Sequence, residues 1–445
     1  MSHIFPRHTA MQLPRAVKGD GCYIIDQNGK RYLDASGGAA VSCLGHSNEA
    51  VRDAIKAQVD RIAFAHTGFF TSEPAEELAD LLASKAPENL DRVYLVSGGS
   101  EATEAAIKLA RQYHVEKGDV RRSRIIARLQ SYHGNTLGSL AAGGNMWRRE
   151  PFEPLLVDMS HIDPCYAYRH KRDDESIEDY GMRAANALEE EILRVGPETV
   201  AAFIAEPVVG ATMGAVPPVP GYLRRIREIC DTYGVLLILD EVMCGMGRTG
   251  YLFACEADKV TPDILCMAKG LGAGYQPIGA MMCSSEIYSA IENGSGFFQH
   301  GHTYVGHPTA AAAALAVFKQ LSAAETMPAV NIASQKLFAA LRARFGDHPH
   351  IGDIRGRGLF IGLELVWNRE TKEPFVPALK LNARVKKHAF ANGLVCYPMG
   401  GTIDGKHGDH ILLAPPFIIE DQQIEEIMDR LDVALKVSLE EAGMP

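Results

Sequence analysis

The 445-residue sequence has no Cys-x-x-Cys pair, no internal repeat, no low-complexity tract and no excess of positive charge. Each absence removes a class of protein. The nine cysteines (Cys22, Cys43, Cys165, Cys230, Cys244, Cys255, Cys266, Cys283 and Cys396) are scattered and odd in number, which points to a reducing compartment rather than a disulfide scaffold. With 45 basic against 55 acidic side chains the net charge is -10, which argues against a general attraction to nucleic acid or to an anionic membrane surface. The opening MSHIFPRH carries no charged-then-apolar signal region. The longest apolar stretches, at 235–239 and 310–318, fall far short of the roughly 20 residues a membrane span requires. The expectation is a soluble, cytoplasmic protein that works on small molecules.

What is present is ordinary globular composition, 47% apolar and 22% charged, in a chain long enough for about two to three domains. The middle of the chain alternates short apolar runs with longer amphipathic segments, the pattern of a doubly wound sheet. Strands are expected at 92–96, 124–128, 200–205, 235–240, 264–267 and 278–283, with helices at 101–115, 181–195 and 222–233 between them. A hairpin around Asn28-Gly29 and a strand near 359–365 suggest a smaller α+β domain built from both termini. The charged stretch 168–180 reads as a solvated loop. The expected division is 1–60 and 321–445 for the small domain, and 61–320 for a large domain with a mixed, mostly parallel sheet covered by helices on both faces.

Ligands of such sheets sit beyond the carboxyl ends of the strands, so the residues that close each strand come first. Glu206 follows 200–205, and Asp240-Glu241 ends the run VLLILDE. A carboxylate there stays ionised only if a cation or several donors face it. The same run resembles a Mg²⁺-binding nucleotidase strand, but no phosphate loop of the required spacing accompanies it. Gly270 to Gly274 lack the helix that a dinucleotide turn needs. Lys269, in DILCMAKGLGAG, lies between a buried strand and a glycine run, where partial burial lowers an amine's pKa toward that of a nucleophile. Ser97-Gly98-Gly99-Ser100 opens a helix with bare backbone N–H groups suited to phosphate, and Tyr132-His133 places an aromatic ring at the same edge. His300, His302 and His307 show no metal-ligand spacing and no metal is expected.

A phosphate cradle, a carboxylate for a pyridinium nitrogen, an aromatic face and a lysine for an aldehyde together meet the needs of pyridoxal 5′-phosphate. The stretch LILDEVMCGMGRTG, with Lys269 29 positions after Asp240, resembles the signature of the class III aminotransferases of fold type I. SGGSEATEAAIKLAR, SYHGNT, AEPVVGA, QHGHTYVGHP and LLAPPF follow in the family's order, so the likeness extends over nearly the whole chain.

The resemblance implies a pyridoxal-phosphate-dependent transaminase with Lys269, Asp240 and Tyr132 as its catalytic residues. Lys269 would bond the cofactor aldehyde, Asp240 pair with the pyridine nitrogen, and Val242 pack on the ring face opposite Tyr132. Gly99 and Ser100 would hold the phosphate with Thr303 from a neighbouring subunit, which implies a homodimer with shared active sites. His133 and Glu206 complete the expected cofactor-binding set. The tail GTIDGKHGDHILLAPPF resembles the ω-amino acid or amine:pyruvate branch, implying ping-pong transfer from an amine or ω-amino acid to pyruvate. A 2-oxoglutarate-using aminotransferase, a racemase or a decarboxylase on the same scaffold stand as alternatives. Ala414 stands where the resemblance implies an arginine before Pro-Pro in 2-oxoglutarate-using members, and Lys406 lies in the loop where the ω-amino acid branch places one, which leaves Arg148 or Arg149 as candidates for the substrate carboxylate. Ala39 and Ala40 suggest a roomy pocket, with Phe69 and Phe70 as its apolar wall or as plain core.

Overall fold

In the computed structural model, which describes residues 3–9 and 11–444, the strands Val200–Ala205, Leu236–Asp240 and Ile264–Met267 are buried at every residue. A strand covered on both faces has no polar side to write into its sequence, so these segments read as continuous apolar runs rather than alternating ones. They form the middle of a seven-stranded sheet. In spatial order it runs Arg92–Val96, Gly279–Cys283, Ile264–Met267, Leu236–Asp240, Val200–Ala205, Arg124–Arg128 and Ser160–Ile162. Six strands share one direction and only Gly279–Cys283 runs against them.

Alternate residues sort to opposite faces. Ala202, Ile204, Ile238 and Cys266 pack with Ala102, Ala106 and Leu109 of the helix Gly99–Glu116. Phe203, Ala205, Leu237 and Leu265 face the helices Ile177–Val195, Tyr222–Tyr233 and Pro308–Leu321. The helix Tyr222–Tyr233 stops where Gly234 adopts φ +62°, a left-handed cap that glycine accepts without penalty.

The expected strand and helix positions agree with these elements to within a few residues. Two features differ. Ser160–Ile162 is a sheet-edge strand of three residues, too short to show a period. The charged stretch 168–180 is not simply a solvated loop: a short helix Ala167–His170 carries Arg169 into a buried ion pair, and Tyr180 is buried within the next helix.

Both ends of the chain meet in one sheet, where Ala16–Asp20, Tyr23–Asp26 and Arg31–Asp34 pair antiparallel and Leu394–Val395 adds in parallel to the last of them. The turn at Asn28-Gly29 is closed by Asp26, whose Oδ1 accepts from the N–H groups of Asn28 at 2.8 Å and Lys30 at 3.1 Å. A second antiparallel sheet runs Ile351–Arg357, Phe360–Leu365, Asp409–Leu413, Tyr397–Gly400. Among the described residues no helix is long and apolar enough to cross a membrane, and all nine cysteines are buried free thiols.

This second antiparallel sheet is tied to the seven-stranded sheet through a buried charge cluster. Glu364 accepts from Arg355 at 2.5 Å and from Arg169 at 2.6 and 2.8 Å, and Tyr166 donates to it as well. Arg355 also donates to the carbonyls of Met213 and Gly214, in the loop beyond the strand Val200–Ala205. These guanidiniums hold the Glu364 carboxyl below its ordinary range against the opposing effect of burial. Removing the carboxylate would leave Arg169 without an ion pair and Arg355 with Asp353 alone, at 3.2 Å, so Glu364→Ala is expected to lower stability by about 3–5 kcal/mol in urea unfolding followed by circular dichroism. Breaking the exposed pair Lys56–Asp53 should barely move the midpoint.

Candidate active site

Six strands of the large sheet end along one edge, and the reversed strand Gly279–Cys283 begins there. The residues just past the ends of Arg92–Val96, Arg124–Arg128, Val200–Ala205, Leu236–Asp240 and Ile264–Met267 therefore converge without sequence proximity. Between them lies a cavity of about 460 Å³. It is lined by Gly99, Ser100, Tyr132, His133, Glu206, Asp240, Val242 and Lys269, eight of the nine residues singled out from the sequence. Val41, Gly274, Gln276 and Pro277 also line it. The last three sit where the chain turns into the reversed strand, and no local sequence pattern announces that reversal.

Asp240 is 3% exposed, and its two oxygens are already engaged. Oδ2 lies 2.8 Å from His133 Nδ1, and Oδ1 accepts the Val242 N–H at 2.9 Å. His133 Nε2 is buried with no partner among the described residues. Glu206 accepts backbone N–H groups from Tyr132 at 3.1 Å and Gly210 at 2.9 Å, while Arg128 donates to its carbonyl at 2.5 Å. Burial raises the Glu206 carboxyl above its ordinary range.

Lys269 follows its strand in the left-handed region, with φ +43°, a conformation uncommon for a residue with a side chain and a mark of local strain. Desolvation brings its amine down from 10.5 to about 8, while Asp240 and Glu206 pull the other way. The phosphate-type cradle is the start of the 18-residue helix Gly99–Glu116. Gly98 caps it with no side-chain bond, and a Cβ at Gly99 would meet Val242 Cγ1 at 2.7 Å. Gly134 has φ +142°, and a Cβ there would meet Ser100 Oγ at 2.5 Å, so glycine is what lets the two loops touch.

Thr303, expected to act at a neighbouring subunit's site, is exposed on the loop before the helix Pro308–Leu321 and lies off this chain's own cavity. Other expectations need correction. Phe69 and Phe70 do not line this chain's own cavity and are not core, being 82% and 69% exposed. Ala40 is packed among Val208, Ala211, Met243 and Phe360, and the residue that reaches the cavity is Val41. Lys406 is exposed on its loop. Arg149 is buried and spent on the carbonyls of Ala141 and Gly143, at 2.6 and 2.9 Å. Arg148, next to it, lies over the Tyr132 ring at 4.6 Å. Among the described residues no group of three His, Cys, Asp or Glu side chains is placed to hold a metal ion.

The Aminotransferase class-III family model matches residues 4–435. An uncharacterized aminotransferase of Schizosaccharomyces pombe is 46% identical over 419 residues, 94% of this chain and 91% of that protein. Putrescine--pyruvate aminotransferase of Pseudomonas aeruginosa is 36% identical over 413 residues, 93% of this chain and 88% of that protein. Among solved structures, a thermostable (S)-enantioselective omega-transaminase from Thermomicrobium roseum superposes with a TM-score of 0.92 at 35% identity, covering 98% of this chain and 96% of that one. The PMP-bound aminotransferase from Vibrio fluvialis gives a TM-score of 0.90 at 32% identity, with 97% and 94% covered. Fold and cavity thus define a pyridoxal-phosphate-dependent transferase of fold type I. The chain belongs to the class III aminotransferases, and its cofactor is pyridoxal 5′-phosphate.

The residues present fit that cofactor on physical grounds. The cavity combines a desolvated amine, a buried carboxylate and a helix start kept bare by glycine. The depressed amine gives a direct measurement. An amine acylates only when neutral, so in cofactor-free protein trace labelling of Lys269 with acetic anhydride should be half-maximal near pH 8 and plateau above it. Surface lysines in the same peptide map should keep rising well beyond that pH.

Proposed function

We propose that this enzyme moves an amino group from an amine or ω-amino acid to a keto acid, pyruvate being the acceptor, in two half-reactions on one site. The observation that carries the reading is the single cavity in which Lys269, Asp240, Glu206, Tyr132 and the Gly99–Ser100 helix start meet. When bound, pyridoxal phosphate supplies an aldehyde for the substrate nitrogen and a ring that withdraws electrons from the amine-bearing carbon. Gly99 and Ser100 are assigned to its phosphate, and Val242 and Tyr132 to its two faces. Asp240, steadied by His133, is assigned to the ring nitrogen and holds the proton there. With the cofactor bound, Lys269 Nζ would be placed to take the proton from the amine-bearing carbon and deliver it to the cofactor's aldehyde carbon, a role that suits an amine whose pKa is about 8. These residues would hold the cofactor in this cavity while it carries the amino group between donor and keto acid, which is the defining feature of a ping-pong exchange.

Pyruvate as acceptor is supported by the relative named for putrescine and pyruvate. The absence of an arginine before Pro415-Pro416 supports it too, because the smaller keto acid has only one carboxylate to satisfy. Thr303 is assigned to the phosphate site of a second copy, since in its own chain it is exposed and off the cavity; this makes the working unit a homodimer with shared sites. Nine buried free thiols support placement in the cytoplasm.

The test is chemical. Mixed with β-alanine, short diamines or aralkylamines, the holoenzyme should lose the absorbance of its bound cofactor, and added pyruvate should then appear as alanine. Borohydride reduction should place the cofactor on the peptide that carries Lys269, and Lys269→Ala should cut turnover by about 10³-fold or more. Absence of any spectral change with every amine, or normal turnover in Lys269→Ala, would reject the reading.

A further inference from the structure

Beside the cofactor cavity lies a second cavity of about 460 Å³, with Leu137, Leu140, Trp147 and Phe152 as apolar walls and Arg7 and Arg148 as its cations. The two are divided by the Tyr132 ring, which lines the first and lies under the Arg148 guanidinium at 4.6 Å. Arg148 is also 5.7 Å from the Trp147 ring. It has no ion pair and no side-chain hydrogen bond among the described residues, and its Nε is buried without a partner. The nearby carboxylate Glu153 pairs with Arg149 instead, at 3.4 Å. A partly buried guanidinium that meets only ring faces retains all its donors for an anion.

The segment that carries Arg148 is held in place by its neighbours. Asn145 accepts the Arg148 N–H at 3.3 Å and donates to Gln130 at 2.8 Å, and Gln130 donates to the Gly401 carbonyl at 2.7 Å. Gly405 of the same tail loop approaches so closely that a Cβ would stand 3.2 Å from the Trp147 backbone nitrogen. The tail loop, whose own Lys406 is exposed, thus buttresses the short helix Met146–Arg149 rather than supplying the cation.

We infer that Arg148 binds the far carboxylate of the amino donor, and that the preferred donors are ω-amino carboxylic acids whose apolar linker lies along the second cavity. The inference rests on the amine-donor reading above and names its substrate class. A guanidinium offers a planar pair of donors that matches a carboxylate, which an ammonium does not. The apolar walls take up the methylene linker, and a plain alkylamine would leave the cation without a partner.

The experiment compares single-turnover reaction of the holoenzyme with 5-aminopentanoate and with pentylamine, a pair that differs only in the carboxylate. The wild type should prefer 5-aminopentanoate, and Arg148→Gln should shrink the preference ratio by about tenfold to a hundredfold, as loss of charge-assisted hydrogen bonds does. Arg148→Lys should fall between the two, and Arg148→Glu should turn the preference toward 1,5-diaminopentane. A binding readout is independent of turnover. Trp147 and Trp367 are the two tryptophans, so in a Trp367→Phe background pentanoate should change the fluorescence of Trp147, with a Kd at least about tenfold weaker in Arg148→Gln.

An unchanged preference ratio in the Gln and Glu variants, or pentanoate binding insensitive to Arg148, overturns the assignment while leaving the transaminase reading intact. So does a wild type that converts aralkylamines but neither member of the pair. A wild type that converts no amine at all overturns the parent reading instead.

Discussion

The site depends on a carboxylate held where water does not reach it. Asp240 closes a strand buried at all five residues, and a desolvated charge there is tolerated because His133 and the Val242 N–H both satisfy it. That arrangement fixes the surrounding parts. His133 belongs to the loop after Arg124–Arg128, so the contact pins that loop, and with it Tyr132, against the end of the neighbouring strands. Val242, two residues on, packs so tightly on Gly99 that the helix start has no room for a side chain. Lys269 then shares a small desolvated volume with two carboxylates, which is why its amine is lowered only to about 8 and not further.

The single antiparallel strand has a consequence for shape. Because Gly279–Cys283 runs against its neighbours, its entry, not its exit, lies at the ligand edge. Gln276 and Pro277 close the cavity there, and the glycines from Gly270 to Gly274 make the turn that brings them in. The glycine run that looks superficially like a nucleotide turn is a device for reversing the chain beside the lysine.

Charge differs between the two cavities. The cofactor cavity holds the carboxylates of Glu206 and Asp240, while the adjoining cavity holds Arg7 and Arg148 and apolar walls. For the proposed ω-amino carboxylic acid donors, the amine would go to the first and the carboxylate to the second. The tail loop acts at one remove, through Gln130, Asn145 and the backbone near Trp147.

Much of this is legible in the residues themselves. Strands buried on both faces announce themselves as apolar runs, and the residues that end them are the site residues by the geometry of parallel sheets, so Glu206, Asp240 and Lys269 stand out from chain position alone. Gly99-Ser100 at a helix start and Tyr132-His133 after a strand stand out in the same way, and the family resemblance adds Val242. What only the tertiary structure decides is the direction of side chains that neighbours in sequence share equally. Arg148 and Arg149 are adjacent on a four-residue helix, where successive side chains diverge by about 100°, and one is consumed by carbonyls while the other is left over an aromatic ring. Val41 rather than Ala39 or Ala40 reaches the cavity, and Phe69 and Phe70 point to solvent, for the same reason. Periodicity records that a residue is apolar or charged, but which partner it meets is set by packing between segments far apart in the chain.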